Sequence, residues 1–323
     1  MELILAKDNG EEVGVLPWDA DFELGGENNF EIVVPQYEWS GAEQFNDRTY
    51  MPGTEYGGMI GEIRTETEPR SVLLRGITWR GMIARKIICP NKGQNYYTIQ
   101  GSVAGCIAQL LQDFFRDTII QADTEAQGNI KKYQFPRYCN LMDGLNGMLA
   151  SVGQKAVLTY EQTAGGGYIK VGAGPIENYE DLSADEMEVR SDVRKNGINH
   201  LICLGQGELA NRTVLHIYTD SDGKITEKQV LKGRYENAAV FDYSGVETTA
   251  ELKSAGLEYL KDVRSGTTIE AEARRITKEM EIGDMVRATD PVTGVTAWRA
   301  VERKILRISG GVRSVEYKLE GEE

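Results

Sequence analysis

The sequence predicts an α+β fold in which β structure dominates, and three observations carry that reading. Short, part-alternating apolar runs broken by Gly or Pro recur along most of the chain. Two such meanders stand near opposite ends, at residues 52–76 and 291–321. Between them, three stretches carry apolar residues at helical spacing. The paired meanders suggest two barrel-like modules in one chain, an arrangement that suits an assembly part better than an enzyme.

The first domain is expected over residues 1–95, as strands separated by turns at Asp8-Asn9-Gly10, Gly25-Gly26-Glu27-Asn28-Asn29 and Pro52-Gly53. Phe30-Glu31-Ile32-Val33-Val34-Pro35 is a strand closed by a proline that cannot donate to a ladder. Met59-Ile60-Gly61-Glu62-Ile63 and Ser71-Val72-Leu73-Leu74-Arg75-Gly76 form a hairpin. Ile83-Ala84-Arg85-Lys86-Ile87-Ile88 then extends the chain to a hard stop at Pro90.

A helix-containing α+β middle domain follows over residues 96–188. Val103, Ile107, Leu110, Leu111, Phe114 and Phe115 recur at helical spacing, with Ser102 placed to cap their helix. Leu141, Leu145, Met148 and Leu149 form one face of a second helix, from 140 to 152, which Gly153 stops. Residues 156–160 and 167–171 read as a hairpin around 163–166. An acidic, turn-rich stretch at 178–188 closes the domain.

Residues 189–323 make a second strand-rich domain with one helix. Strands are expected at 189–193, 200–204, 214–218 and 224–230, the last two flanking a hairpin turn at Asp220-Ser221-Asp222-Gly223. A helix over 249–263 turns Leu252, Leu257, Leu260 and Val263 inward. The chain then returns to strands, with a turn at Ser309-Gly310-Gly311.

A length of 323 residues calls for two or three domains. With 50 acidic against 36 basic side chains, the net charge of -14 argues against a protein that gains affinity by neutralising nucleic-acid phosphates. Such a surface repels DNA and keeps the chain soluble. Cys89, Cys106, Cys139 and Cys203 are widely spaced without a C-x-x-C pair, and read as reduced core thiols rather than a zinc module. The first eight residues lack the basic region and the apolar length of a signal peptide, and no stretch reaches membrane-spanning length. Folding in the cytoplasm without a membrane partner is the expectation.

Motifs that could carry chemistry are weak. Gly205-Gln206-Gly207-Glu208-Leu209-Ala210 follows a strand and matches a G-x-G-x-x-A fingerprint, but a dinucleotide site needs a helix next and the chain runs into another β-like segment. The Asp220 turn lacks the third acidic ligand and the closing Glu of a calcium loop. His200 and His216 are the only histidines, with no H-E-x-x-H arrangement; a triad assembled in space is neither built nor excluded by that. Acidic pairs such as Glu11-Glu12, Glu66 with Glu68, and Asp185-Glu186 are unavoidable among 50 acids. Trp18, Trp39, Trp79 and Trp298 are scattered and read as core or interface anchors. No catalytic, cofactor-binding or metal-ligating residue is assigned, and no cofactor is expected.

One resemblance emerges from the strand segments taken in order. It rests on residues 30–35, then Glu55-Tyr56-Gly57-Gly58-Met59-Ile60-Gly61-Glu62-Ile63, Val72-Leu73-Leu74-Arg75-Gly76, and Ala84-Arg85-Lys86-Ile87-Ile88-Cys89-Pro90. Near the end it continues through 251–260, Ile282-Gly283-Asp284-Met285-Val286 and the hairpin after Trp298. In these stretches the chain resembles the tail-associated baseplate hub proteins of long-tailed phages and prophages. Each segment is a strand with glycine punctuation rather than a ligand set.

What the resemblance implies is a virion structural protein with two tube-type β-barrel domains. Three copies would form a pseudo-sixfold ring joining a hexameric tail tube to a threefold tip, and DNA would pass through the lumen without specific binding. The implied neighbours are the distal tail protein, the tail tube and the tip proteins; the implied location is the virion tail, after synthesis in the host cytoplasm. Longer relatives carry an endopeptidase or lysozyme-like region that has no counterpart here, so the chain is expected not to be an enzyme. The segments favoured for assembly are the two meanders and Gly57-Gly58, Gly283-Asp284 and Gly310-Gly311. Two alternatives stay open: a tail-associated cell-wall hydrolase or peptidase, with His200 or His216 in a cleft beside a carboxylate or thiol, and the hub of a related secretion or tailocin particle.

Overall fold

The computed structural model describes residues 2–41, 43–68, 70–163, 166–180, 187–246, 248–273 and 279–320. The Asp185-Glu186 pair and the centre of the expected 163–166 turn lie outside them. In chain order the elements begin β1 (Leu3–Ala6), β2 (Glu12–Leu16), β3 (Asp19–Leu24), β4 (Asn29–Pro35), β5 (Arg48–Tyr50), β6 (Gly57–Thr67), β7 (Arg70–Thr78) and α1 (Trp79–Ala84). Next come β8 (Thr98–Ser102), α2 (Val103–Leu110), β9 (Ile120–Ala122), β10 (Asn129–Gln134), α3 (Leu141–Ala150), β11 (Gln154–Glu161), β12 (Tyr168–Pro175) and β13 (Asn178–Tyr179). The remainder are β14 (Met187–Arg194), β15 (His200–Leu204), β16 (Val214–Thr219), β17 (Ile225–Thr226), β18 (Ala238–Asp242), α4 (Thr249–Val263), β19 (Gly266–Ala273), β20 (Met285–Thr289), β21 (Thr296–Ser309) and β22 (Val312–Leu319). The fold is β-dominant, as the sequence predicts.

The chain forms two compact units. The first comprises Met1–Glu188, Ala271–Ala288 and Trp298–Gly321; the second holds Val189–Glu270 and Thr289–Ala297. In the first unit a sheet runs in the order β22-β21-β3-β4-β7-β6-β5-β1-β2. Every pairing along it is antiparallel. Its β4 alternates buried and partly exposed residues with a period of two, so Phe30, Ile32 and Val34 point to one face. There they join Phe22, Leu24, Ile60, Val72, Leu74 and Leu306 in a single core.

A second core lies where α1, α2 and α3 pack with the short sheets β11-β12-β9 and β8-β10. Ser102 caps α2 by accepting from Gly105 N, as the sequence predicts, and Asn140 caps α3 by accepting from Asp143 N. The aromatic end of the first predicted helix departs from α geometry: residues Leu111–Phe115 form a π-helical turn, closed by Arg116 in the left-handed region at φ 59°. Tyr160 stacks between Tyr50 and Trp79, at centroid distances of 3.8 and 5.9 Å, and so joins this core to the large sheet.

In the second unit, β17-β16-β15-β18 form a four-stranded sheet in which β15 and β18 run parallel. Leu252 and Leu260 of α4 pack on Leu201, Cys203 and Ile217 from one face of that sheet. Thr248 and Glu251 close the helix start as a reciprocal capping box.

Several expectations need correction. The two end meanders are not separate barrels: among the described residues no sheet closes on itself. Their hairpins β6–β7 and β21–β22 instead flank β3–β4 in one sheet. Residues 83–88 do not extend a strand; Thr78 ends β7 and its hydroxyl accepts from Gly81 N to start α1. The expected strand at 224–230 shrinks to Ile225–Thr226, and β18 was not foreseen. Of the four cysteines, Cys106 and Cys203 are buried and Cys139 half-buried, but Cys89 is exposed. Trp79 is fully buried, whereas Trp298 is exposed.

Candidate functional site

The first unit buries several charged side chains, among them Glu55, Arg80, Lys155, Asp284 and Lys304. Arg80, on α1, donates from Nε to Glu55 Oε2 at 2.6 Å, with both side chains almost wholly buried, and from Nη2 to the Ala156 carbonyl at 3.3 Å. Lys155, at the start of β11, donates to Asp284 Oδ1, which also accepts from Glu177 N at 2.8 Å. Asp284 Oδ2 accepts from Glu281 N, again at 2.8 Å. Lys304, on β21, donates to Glu281 Oε1 at 2.8 Å and lies 5.1 Å from the centre of the Tyr56 ring.

Electrostatics within this set follow from its burial. Loss of hydration pushes the Glu281 carboxyl above its ordinary range, against the pull of Lys304. Burial works to lower Lys304, but Tyr56, Glu281 and Glu55 outweigh it and hold the ammonium above the usual lysine range. Burial likewise raises the Tyr56 phenol. Beside these residues lies a cavity of about 800 Å³, lined by Arg80, Asn140, Asp143, Lys155 and Arg303 among others. Cations and carboxylates alternate through the network, so its chemistry is that of a clamp: it fastens segments from residues 55, 80, 155, 177, 281 and 304 to one another.

The second unit carries a different cluster on the sheet face opposite α4. The β15–β16 ladder pairs His200 with Tyr218 and Ile202 with His216, which sets the two histidines diagonally across adjacent strands. His200 Nδ1 lies 2.7 Å from Glu236 Oε1, and its Nε2 lies 2.8 Å from His216 Nδ1. Tyr218 stacks loosely on His200 at 4.7 Å between centroids. The hydrogen bond with His200 holds the Glu236 carboxyl below its usual range. His216 is exposed, and the His200 side chain is 12% exposed.

The structure brings some sequence-singled residues together and disperses others. His200 and His216 meet, and a carboxylate joins them, but Cys203 points to the opposite face, where it packs under Gly256 of α4. The G-x-G segment is a turn: Leu209–Asn211 forms a single 3-10 turn rather than a phosphate-binding helix. Asp220 closes a hairpin turn, its Oδ1 accepting from Asp222 N and Lys224 N at 3.0 and 2.9 Å. Gly57 and Gly58 are packed inside the sheet, where an added Cβ would come within 2.4 Å of the Thr49 carbonyl and 2.0 Å of the Ile77 carbonyl. Asp284 is buried in the ion-pair network, and Gly310-Gly311 stands open at the β21–β22 turn.

Glu55, Arg80, Lys155, Glu236 and Lys304 were not foreseen as a group. Their partners stand 25, 129, 36 and 23 residues away along the chain, and nothing local in sequence marks a charge that will be buried. Among the described residues, no set of three or more His, Cys, Asp or Glu side chains converges on one point, and no helix is long and apolar enough to cross a membrane.

No family model and no curated protein matches this chain. Among solved structures, it is similar to a tail protein from Neisseria meningitidis MC58 at 16% identity and a TM-score of 0.45, covering 100% of this chain and 96% of that one. It is similar to the 43 kDa tail protein of prophage MuSo2 from Shewanella oneidensis at 11% identity and a TM-score of 0.48, covering 99% and 98%. It is also similar to prophage tail protein gp18 from Listeria monocytogenes EGD-e at 12% identity and a TM-score of 0.47, covering 100% and 95%.

Proposed function

We propose that the chain is a non-catalytic structural subunit of a phage or prophage tail tip. Three copies form a ring that joins the sixfold tail tube to a threefold tip and gives DNA a passage. One observation supports the reading: residues 30–35, 57–63, 72–76 and the hairpin after Trp298, four of the stretches that carry the sequence resemblance, lie in one antiparallel sheet. In this reading each subunit occupies two of the six positions a tube requires, so that three subunits close the ring. The distal tail protein, tail tube and tip proteins are the neighbours, and the virion tail is the location. The net charge of -14 suits a lumen along which DNA slides without sticking.

A tail-associated hydrolase remains the second reading because His200 stands beside the Glu236 carboxylate. Its thiol form is disfavoured, since Cys203 lies on the other face of β15. Light scattering over a range of concentrations, with electron microscopy of the particles, tests the main proposal. A trimeric ring with a central hole is expected, whereas a compact monomer at every concentration, persisting when tail-tube protein is added, overturns it.

A further inference from the structure

On the reading that copies of this chain assemble into a ring, we propose that a basic and aromatic surface at residues 85–87 and 137–138 docks on the acidic β1–β2 hairpin of a second copy. Charge is unevenly distributed along the sequence. The first 47 residues hold twelve acids and one base, Lys7, whereas the stretch between Glu68 and Asp113 holds six bases and no acid. A second acid-free stretch, between Glu125 and Asp143, adds Lys131, Lys132 and Arg137. A chain with a net charge of -14 repels its own copies on average, so self-association needs a local surface of the opposite sign.

The fold brings the two acid-free stretches together. Ile87 bridges Asn140 in antiparallel fashion, Ile88 N donates to the Cys139 carbonyl at 2.9 Å, and Leu141 N donates to the Lys86 carbonyl at 2.7 Å. Around this junction Ile87 and Tyr138 are 45% and 60% exposed, and Arg85 and Arg137 are exposed next to them in the chain. Arg137 lies 5.4 Å from the centre of the Tyr138 ring, and Lys86 lies 5.4 Å from that of Phe115. Arg85, Lys86 and Arg137 have no carboxylate partner among the described residues. Tyr138 sits in the left-handed region at φ 57°, which a bulky residue adopts only against strain, so the fold displays this ring at some loss of stability. Tyr and Arg are the side chains that most often dominate protein contacts.

The complementary surface is the β1–β2 hairpin. Among the described residues β2 pairs only with β1, at the end of the large sheet, and its Val13 and Val15 share one side at 44% and 49% exposure. Asp8 and Glu11, in the turn that precedes them, are exposed. Each surface therefore sets apolar side chains beside charges, and the charges of the two are opposite in sign. Because the two surfaces differ, the contact is heterologous, and its repetition generates a ring wherever the rotation closes.

The test uses the full chain, with light scattering and sedimentation over a range of concentrations. The parent is expected to self-associate, and to do so more weakly as salt is raised. Lys86→Glu together with Arg137→Glu should weaken self-association about tenfold or more, as should Asp8→Lys together with Glu11→Lys, each with an unchanged circular dichroism spectrum. All four reversals in one chain should restore association, an outcome that loss of folding does not imitate. Tyr138→Gly should weaken association about tenfold without lowering the thermal midpoint, since glycine accepts the left-handed backbone. Association of parental strength in either reversed pair, or a combined variant that stays monomeric, would overturn this interface and leave the ring reading standing. Unchanged association in Tyr138→Gly would remove that ring from the contact. A parent that is monomeric alone also overturns the interface, whereas the ring reading falls only if the monomer persists with tail-tube protein present.

Discussion

The ion-pair network of the first unit and the histidine cluster of the second use the same contact, a cation or imidazole against a carboxylate, in different surroundings. Arg80 and Glu55 are 3% and 5% exposed, whereas Glu236 is 33% exposed. Water decides what each contact is worth. A buried charge deprived of its partner has nothing to replace it, while an exposed one is rehydrated at little cost. The first cluster is accordingly a fastening whose loss should be felt throughout its unit, and the second can lose its carboxylate contact with the sheet beneath it intact.

The largest test of this contrast is Asp284→Ala. It strands the Lys155 ammonium and two backbone N–H groups, and should destabilise the first unit by about 3–5 kcal/mol in urea unfolding. The further change Lys155→Met should recover part of that loss, giving a non-additive double-mutant cycle. A cost below about 1 kcal/mol for Asp284→Ala would place the network with surface pairs.

A backbone substitution comes next. Gly25 has φ 96°, and an added Cβ would sit 2.0 Å from the Glu302 carbonyl, where the β3–β4 turn meets β21. Gly25→Ala should cost about 1–3 kcal/mol from strain and displacement together. Gly53→Ala, at φ 70° with nothing within 4 Å, should cost less, and denaturation midpoints of the two variants separate packing from conformation.

The pH dependence should show a smaller signature. Glu281 has a folded-state pKa above its ordinary 4.5, so between these two values the folded chain binds more protons than the unfolded one. Its contribution therefore favours folding at acid pH and is lost as pH rises through the folded value. Unfolding measured from pH 4 upward should show this downward component in the parent, and Glu281→Gln should remove it. The smallest effect belongs to the exposed cluster, where Glu236→Gln should leave the denaturation midpoint almost unchanged.

The elements legible in the sequence were those specified locally. Ser102 and Asn140 announce α2 and α3 through their side-chain oxygens, and the alternation of residues 30–35 declares a strand with one buried face. The helix over 249–263 was read to its ends because apolar spacing marks its inner stripe. Less local features escaped. The short α1 carries too few turns to show a period, and β18 has buried neighbours but an exposed outer face, so neither stands out from its surroundings. That both end hairpins share a sheet depends on which edge meets which, and each hairpin alone is compatible with a separate module. The candidate sites were least legible: the two histidines were noted, but Glu236 arrives through a parallel strand pairing, and the Arg80–Glu55 and Lys155–Asp284 pairs form only after distant segments fold together.

The pairing of β21 with β3, Lys304 opposite Leu24 through Ile308 opposite Ala20, also sets an order of events during synthesis. Residues of the first strands leave the ribosome long before their partner exists, so β3 must wait with one edge of its backbone open. Nearly the whole chain has to emerge before that edge is covered. A nascent chain stalled before residue 296 would present an unpaired strand to its neighbours, and would be most vulnerable to mispairing while it is still unfinished.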